Sequence, residues 1–133
     1  YRSLDDLLAE SDFVVVMVSL TPETERFIRA EHFARMKRSA IFINASRGKV
    51  VDEPALIEAL RQGRIRAAGL DVFASEPVDP SHPLLAMDNV VTLPHIGSAT
   101  FATRFDMAML AARNLLAALN GETPPNLIPE FRR

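Results

Sequence analysis

Three side chains that could do acid–base and anion-binding chemistry, Arg47, Glu76 and His95, each follow a short apolar segment of this sequence. Because the carboxyl ends of parallel strands open onto one crevice, we expect the three side chains to lie together. A guanidinium can bind a carboxylate bidentately, and an imidazole can give a proton to a carbonyl oxygen. A carboxylate beside that imidazole favours its charged form and holds one tautomer. The trio is therefore suited to the reduction of a keto acid.

Each of these residue types also has an ordinary structural interpretation. A lone arginine usually forms a surface ion pair, a lone histidine is more often structural, and a loop glutamate is usually solvated. The competing histidines are His32, in a helical segment, and His82, before a proline, and we expect both to be solvated. The competing carboxylate, Glu53, lies in the first turn of a predicted helix, where the helix dipole explains a surface position. Unlike these competitors, the three residues of the trio each follow a predicted strand.

Two further polar residues end apolar segments. The carboxylate of Asp71 needs a partner there, which could be a cofactor amide, a ribose hydroxyl or a nearby backbone N–H, and the residues alone leave these open. Asn44 needs to do no more than tie the loop at its strand end.

The predicted strands are apolar and lack a polar alternation, which is typical of strands buried on both faces. They cover residues 13–18, 40–45, 67–72 and 90–93. Four helices are predicted around these strands. The first is capped by Ser3 and runs to Glu10, and the second runs from Thr21-Pro22-Glu23 to Lys37 and Arg38. The third runs from Asp52 through Leu60 and is ended by Gly63, and the fourth covers residues 101–119, with Ser98 or Thr100 as its cap and Gly121 at its end.

Strands that alternate with helices predict a parallel sheet with right-handed crossovers. The expected fold is α/β, the second half of a Rossmann-type doubly wound parallel sheet with about four strands and flanking helices. Residues 1–120 would form this partial domain, and residues 121–133 a tail. The first strand would leave an apolar edge open to pairing.

The composition argues against several classes of function. The 133 residues carry a net charge of −2, which gives no reason to expect nucleic acid or an anionic membrane as a partner. The absence of cysteine excludes disulfides and thiolate chemistry and suits the cytoplasm. No segment resembles a signal peptide or reaches the roughly 20 apolar residues of a membrane helix. Because the chain starts with Tyr1 rather than methionine, we expect an interior piece of a longer chain.

Four ordered motifs resemble the D-isomer-specific 2-hydroxyacid dehydrogenases, and together they cover nearly the whole chain. The residues of these motifs are most similar to those of glyoxylate/hydroxypyruvate reductases and 2-ketogluconate reductases. The motifs are Ser11-Asp12-Phe13-Val14 with Leu20-Thr21-Pro22-Glu23-Thr24, Asn44-Ala45-Ser46-Arg47-Gly48 with Val51-Asp52-Glu53, Gly69-Leu70-Asp71-Val72-Phe73 with Glu76-Pro77, and Pro94-His95-Ile96-Gly97-Ser98-Ala99-Thr100.

The resemblance implies that Arg47 binds the substrate carboxylate and carbonyl, that His95 is the acid/base, and that Glu76 pairs with His95. It also implies NAD or NADP as cofactor, a small 2-keto or 2-hydroxy acid as substrate, and a homodimeric parent enzyme. We expect no metal site. The cofactor-binding positions that it implies are Leu20, Thr21, Pro22, Ala45, Ser46, Arg47, Asp71, His95, Gly97 and Ser98.

Two departures and two alternatives accompany the resemblance. Ser19 stands where the family often has proline, and the Gly-rich loop that holds a pyrophosphate is not in this chain, so we expect weak cofactor binding by this piece. Dinucleotide-sensing corepressors, the C-terminal binding proteins, resemble the same family and retain the trio, which makes an interaction module the alternative function. Formate dehydrogenases are less similar, because their pattern has Gln at the position of Glu76.

Overall fold

A computed structural model describes residues 1–131 of the chain, which form two compact units, residues 1–96 and residues 97 onward. The first unit contains strands β1 (Phe13–Val16), β2 (Ile41–Asn44), β3 (Ala67–Leu70) and β4 (Val90–Thr92) and helices α1 (Leu4–Glu10), α2 (Ala30–Arg35) and α3 (Glu53–Arg61). The second contains helix α4 (Phe101–Leu119).

The four strands form one parallel sheet in the order β1-β2-β3-β4. The register aligns Val14 with Phe42 and Val16 with Asn44, and Asn44 in turn with Leu70. Neighbouring strands therefore end at nearly the same level, so that the loops following them share one edge of the sheet. This architecture confirms the predicted α/β, Rossmann-type sheet of four strands with flanking helices.

Only one face of the sheet is covered in the first unit. Val14 and Val16 of β1 are buried, whereas Phe13 is 64% exposed and Val15 54% exposed. The prediction that this strand is buried on both faces is therefore wrong. α2 packs against both α1 and α3, so the three helices lie on the same face, as is expected for α2 and α3 when successive crossovers have the same hand. The core beneath them includes Leu8, Phe33, Phe42, Val50, Leu56, Leu60 and Ile65.

The helix predicted from Thr21 does not form, and α2 begins only at Ala30. The Thr24 hydroxyl accepts the Thr21 N–H and donates to the Ser19 carbonyl, which closes a turn. Ile28 then forms a parallel bridge with Val51 and accepts the Asp52 N–H at 2.8 Å. These long-range backbone bonds need an extended segment, so they override the local helical pattern of residues 21–29.

The predicted helix ends are mostly confirmed. Ser3 caps α1 through a hydrogen bond from the Asp6 N–H, Thr100 rather than Ser98 caps α4, and Gly63 has a φ of +61°, the left-handed conformation that glycine adopts without steric cost. Asp52 occupies the N-cap position of α3, but its carboxylate pairs with the Arg26 guanidinium instead of capping the helix.

The second unit begins at Gly97 and contains α4 with the segments before and after it. Gly121, with a φ of +76°, follows the helix as predicted. The Asn126 N–H then donates to the Asn114 side-chain oxygen at 2.9 Å, so the chain returns to the helix. None of the described helices has the length and apolar character needed to cross a bilayer.

Candidate active site

Glu76 and His95 form a hydrogen-bonded pair at the carboxyl-end edge of the sheet. Glu76 Oε2 lies 2.7 Å from His95 Nδ1, although 19 residues separate them. Glu76 belongs to the loop after β3, and His95 to the loop after β4. His95 has a φ of +55°, in the left-handed region that few non-glycine residues occupy. The expected contact between the carboxylate and the imidazole is therefore present.

The carboxylate of this pair is held in its ionised form. The His95 hydrogen bond, followed by a 3.0 Å hydrogen bond from the Phe73 N–H to Oε1, lowers the pKa of Glu76, and the charge of Arg47 adds a smaller effect in the same direction. An ionised carboxylate can only accept hydrogen bonds, so His95 Nδ1 must donate its proton. Nε2 is then the nitrogen that can hold a proton for a ligand.

Removing His95 should raise the pKa of Glu76 towards its ordinary value of 4.5, because the His95 hydrogen bond is the largest cause of the lowering. When the imidazole is present, the ionised Glu76 carboxylate stabilises the folded protein at pH values above 4.5. This stabilisation is lost as the pH falls through the lowered pKa of Glu76. A ¹³C NMR titration of the Glu76 carboxyl in His95→Ala tests this. His32→Asn is the control, and an unchanged Glu76 pKa in His95→Ala would contradict the assignment.

Arg47 lies on a loop that Asn44 holds in place. The Asn44 side-chain oxygen accepts hydrogen bonds from the N–H and the hydroxyl of Ser46, at 3.1 and 3.0 Å, and its amide donates to the Arg47 carbonyl at 3.0 Å. Asn44 is 1% exposed, so these bonds are well shielded from water. The tie that Asn44 was expected to provide is present and fixes the backbone of Arg47. The Arg47 residue is exposed, and its Nη1 donates to the Ser46 carbonyl at 2.7 Å.

The trio is divided between two cavities of the first unit. Glu76, His95 and Asp71 line a cavity of about 510 Å³, whose apolar wall includes Phe73 and Leu93. Arg47 lines a cavity of about 360 Å³ together with Leu20, Ala45 and Ser46, at the ends of β1 and β2. The structure thus brings Glu76 and His95 into contact and places Arg47 beside the next strand.

Asp71, which is 7% exposed, has a backbone partner. Its Oδ1 accepts the N–H of Ile96 at 2.8 Å, across 25 residues. A backbone N–H, one of the partners that the residues left open, is therefore present. This hydrogen bond also fixes the residue directly after His95, so Asp71 helps to set the direction of the His95 loop.

The remaining positions implied for cofactor binding are more dispersed. Thr21 takes part in the turn that Thr24 closes, and Pro22 lines a separate cavity of about 470 Å³ with Arg26 and Asp52. Gly97 and Ser98 belong to the second unit, and both are exposed. Of the loop residues 20–22, Leu20 alone lines the same cavity as Arg47.

Glu53 and His82 are not the solvated residues that the sequence predicted. Their side chains are only 17% and 19% exposed, and Glu53 Oε1 lies 3.0 Å from His82 Nε2. Glu53 Oε2 accepts the Ala74 N–H at 3.0 Å. The sequence did not predict this contact, because no local pattern links residues 29 positions apart. The only signals near the two residues were the helix start at Glu53 and the proline after His82.

His32 is also partly buried, contrary to the expectation that it is solvated. Its Nδ1 accepts the Arg29 N–H at 3.0 Å, and its ring stacks on Phe27. His32 therefore stabilises the first turn of α2, and none of these contacts involves Glu76 or His95. Among residues 1–131, no group of three or more His, Cys, Asp or Glu side chains could hold a metal ion.

Comparison with known proteins identifies what the chain is similar to. Residues 1–97 match the model described as "D-isomer specific 2-hydroxyacid dehydrogenase, NAD binding domain". A glyoxylate/hydroxypyruvate reductase B of Cronobacter sakazakii is 61% identical over 128 residues, which are 96% of this chain and 40% of that protein.

Two solved structures have the same fold. One, from Thermus thermophilus, is 51% identical with a TM-score of 0.89, covering 96% of this chain and 40% of its own. The other, an NADPH-dependent glyoxylate/hydroxypyruvate reductase from Sinorhizobium meliloti in complex with NADP and malonate, is 38% identical with a TM-score of 0.81, covering 88% of this chain and 36% of its own. The chain thus spans about 40% of the length of the curated relative.

Proposed function

We propose that this chain, which belongs to the D-isomer specific 2-hydroxyacid dehydrogenase family, is part of an enzyme that reduces a small 2-keto acid. The substrate would be of the glyoxylate or hydroxypyruvate type, the product its D-2-hydroxy acid, and the reductant NADH or NADPH. The observation that carries the proposal is the 2.7 Å pair between Glu76 and His95 at the edge of a cavity. The similarity to glyoxylate/hydroxypyruvate reductase B supports this substrate class.

In the proposed mechanism His95 is the acid that protonates the carbonyl oxygen. Glu76 accepts the Nδ1 hydrogen, so the ring is held in one orientation and presents Nε2 to the substrate. As hydride reaches the carbonyl carbon, Nε2 gives its proton to the oxygen, and in the reverse direction Nε2 takes that proton back. The Phe73 N–H on the second oxygen of Glu76 keeps the carboxylate in the orientation that this requires.

Arg47 is proposed to bind the substrate carboxylate and to stabilise negative charge at the carbonyl oxygen. Arg47 is an exposed residue whose backbone is held by Asn44, and both features are consistent with this role. The cavity that it lines fits one part of a dinucleotide, because Ala45 and Ser46 are small enough for close approach. We assign Leu20, Ala45, Ser46 and Asp71 to the cofactor side; the nicotinamide, when bound, supplies the hydride.

The test is turnover of the full-length protein that contains this chain. Purified protein is mixed with NADH or NADPH, and absorbance at the nicotinamide band is followed after addition of glyoxylate or hydroxypyruvate. Oxidation that depends on the keto acid supports the proposal, and the faster coenzyme identifies the preference. A full-length protein that binds dinucleotide without turning over either keto acid would favour the corepressor-like interaction module instead.

Arg47→Lys should raise the KM for keto acids by about 10-fold or more, with a smaller change in the KM for the coenzyme. Lysine keeps the charge but loses the bidentate geometry, so the substrate carboxylate is bound through a single point charge. Steady-state kinetics of the full-length enzyme measure both constants. Arg61→Lys, an exposed position in α3, is the control, and an unchanged keto-acid KM in Arg47→Lys would remove the proposed role.

We extend the proposal to a homodimer, which the family resemblance implies for the parent enzyme, and to a cytoplasmic location. The net charge and the absence of cysteine are compatible with that setting. Sedimentation of the full-length protein measures the assembly directly.

A further inference from the structure

We infer that Glu53 and His82 form a second histidine–carboxylate pair that positions the loop carrying Glu76, so that both act as positioning residues for the reaction; this rests on the proposed function above. The two residues lie in the first unit and outside the Glu76–His95 pair. They lie 29 residues apart in the chain, at the start of α3 and immediately before the short helical turn Pro83–Ala86.

Two carboxylates bind two consecutive backbone amides of the Glu76 loop. Glu76 Oε1 accepts the Phe73 N–H, and Glu53 Oε2 accepts the Ala74 N–H, each at 3.0 Å. The first bond closes the loop on itself, whereas the second ties it to a helix. Without Glu53, the part-buried Ala74 N–H would lose its partner, which favours a shift of the loop. Such a shift would carry Phe73, and with it the oxygen of Glu76 that Phe73 holds.

His82 fixes the carboxylate of Glu53 in its turn. His82 Nδ1 accepts the Leu84 N–H at 3.3 Å, so the ring hydrogen lies on Nε2 and is donated to Glu53 Oε1 at 3.0 Å. The Phe73 ring packs edge-on against the His82 ring, with centroids 5.8 Å apart. Both oxygens of Glu53 are therefore occupied, and the imidazole that holds one of them contacts the loop itself.

The same loop is in direct backbone contact with the segment that carries Arg47. A Cβ atom added at Gly48 would overlap the Phe73 carbonyl and the Ala74 nitrogen, so the two backbones touch at this point. α3 begins five residues after Gly48, and its first residue, Glu53, accepts the Ala74 N–H. The loop thus contacts both the Arg47 segment and α3, and its displacement would change the position of Glu76 relative to Arg47.

The experiment is a double-mutant cycle in the full-length enzyme with Glu53→Ala and Glu76→Ala. If Glu53 acts through Glu76, Glu53→Ala lowers kcat by about 10-fold in the wild-type background and by less than about 2-fold when Glu76 is already alanine. Glu58→Ala, an exposed carboxylate of the same helix, is the matched control and should leave kcat unchanged. Equal losses from Glu53→Ala in both backgrounds would overturn the inference.

His82→Asn separates positioning from folding. Asparagine can still accept the Leu84 N–H as a cap, but it is too short to reach Glu53, so the short turn is retained while the link to the carboxylate is lost. We expect a smaller fall in kcat than with Glu53→Ala, again confined to enzyme that contains Glu76. If Glu53→Ala does not fold, His82→Asn replaces it in the cycle. Equal losses of kcat from His82→Asn with and without Glu76 would again overturn the inference.

A second readout does not need turnover. In the full-length protein, Glu53→Ala should raise the pKa of Glu76 in a ¹³C NMR titration, because the Phe73 N–H contributes to lowering it. Glu58→Ala should not. Wild-type protein that turns over no keto acid, with the Glu76 pKa raised in Glu53→Ala, would refute the proposed function and retain the positioning of the loop. An unchanged Glu76 pKa would overturn the positioning in either case.

Discussion

His95→Ala in the full-length enzyme is expected to lower kcat with glyoxylate or hydroxypyruvate by about 100-fold or more. The imidazole is the group beside Glu76 that can give a proton to the carbonyl oxygen, and alanine leaves that oxygen without an acid. The remaining hydrogen bond of Glu76, from the Phe73 N–H, keeps the loop in place, so substrate binding should change less than turnover. Steady-state kinetics with saturating coenzyme measure the two effects separately.

The control for this variant is a histidine outside the site. His32→Asn removes an imidazole from the start of α2, where it accepts a backbone N–H and stacks on Phe27, and should leave kcat within about 2-fold of wild type if His32 has no catalytic role. Circular dichroism of both variants shows whether they fold. A folded His95→Ala enzyme with near-normal kcat would exclude His95 as the acid.

Gly48→Ala is expected to destabilise the protein by about 1–3 kcal/mol or more and to lower kcat as well. The added Cβ would overlap the backbone of Phe73 and Ala74, which cannot swing away as the end of a flexible side chain could. Relief of the overlap must move residues 73–74 away from the Arg47 segment. That movement would pull on the hydrogen bonds that hold Glu76 and Glu53.

Gly69→Ala is the matched control, because it adds the same methyl group to β3. There the Cβ would meet only the Ile43 side chain, at 3.7 Å, which is an ordinary van der Waals contact. We expect its free energy of unfolding to stay within about 1 kcal/mol of wild type. Urea denaturation compares the two variants, and a Gly48→Ala protein as stable as Gly69→Ala would show that the two loops can separate without cost.

The sheet and the helix ends could be predicted because their signals are local. Apolar runs of four to six residues predicted all four strands, and the φ values of Gly63 and Gly121 match the positions where glycine was expected to end a helix. The structural role of Asn44 could also be predicted, because its amide bonds only to residues two and three positions further along the same loop. In each case the physical cause lies within a few residues of its effect.

The predictions that were wrong concern features whose physical cause lies far away in the chain. Residues 21–29 have a helical pattern, but Ile28 instead pairs with Val51. Phe13 and Val15 are apolar enough for a core, yet the helices of the first unit pack together on the other face of the sheet. Glu53 and His82 looked like surface residues because nothing near them in the chain shows that they meet. Only long-range pairing decides such cases.

By itself, the sequence determined which side chains stand at the ends of strands, and therefore that Arg47, Glu76 and His95 reach one edge of the sheet. The alternation of strands and helices is enough for this, since parallel strands all point the same way. Only the tertiary structure decided how those side chains are held: Glu76 on His95 and the Phe73 N–H, Asp71 on the Ile96 N–H, and Glu53 between His82 and Ala74. Hydrogen bonds of this kind depend on distances of a few ångströms between loops, and those distances exist only once the sheet has set its register.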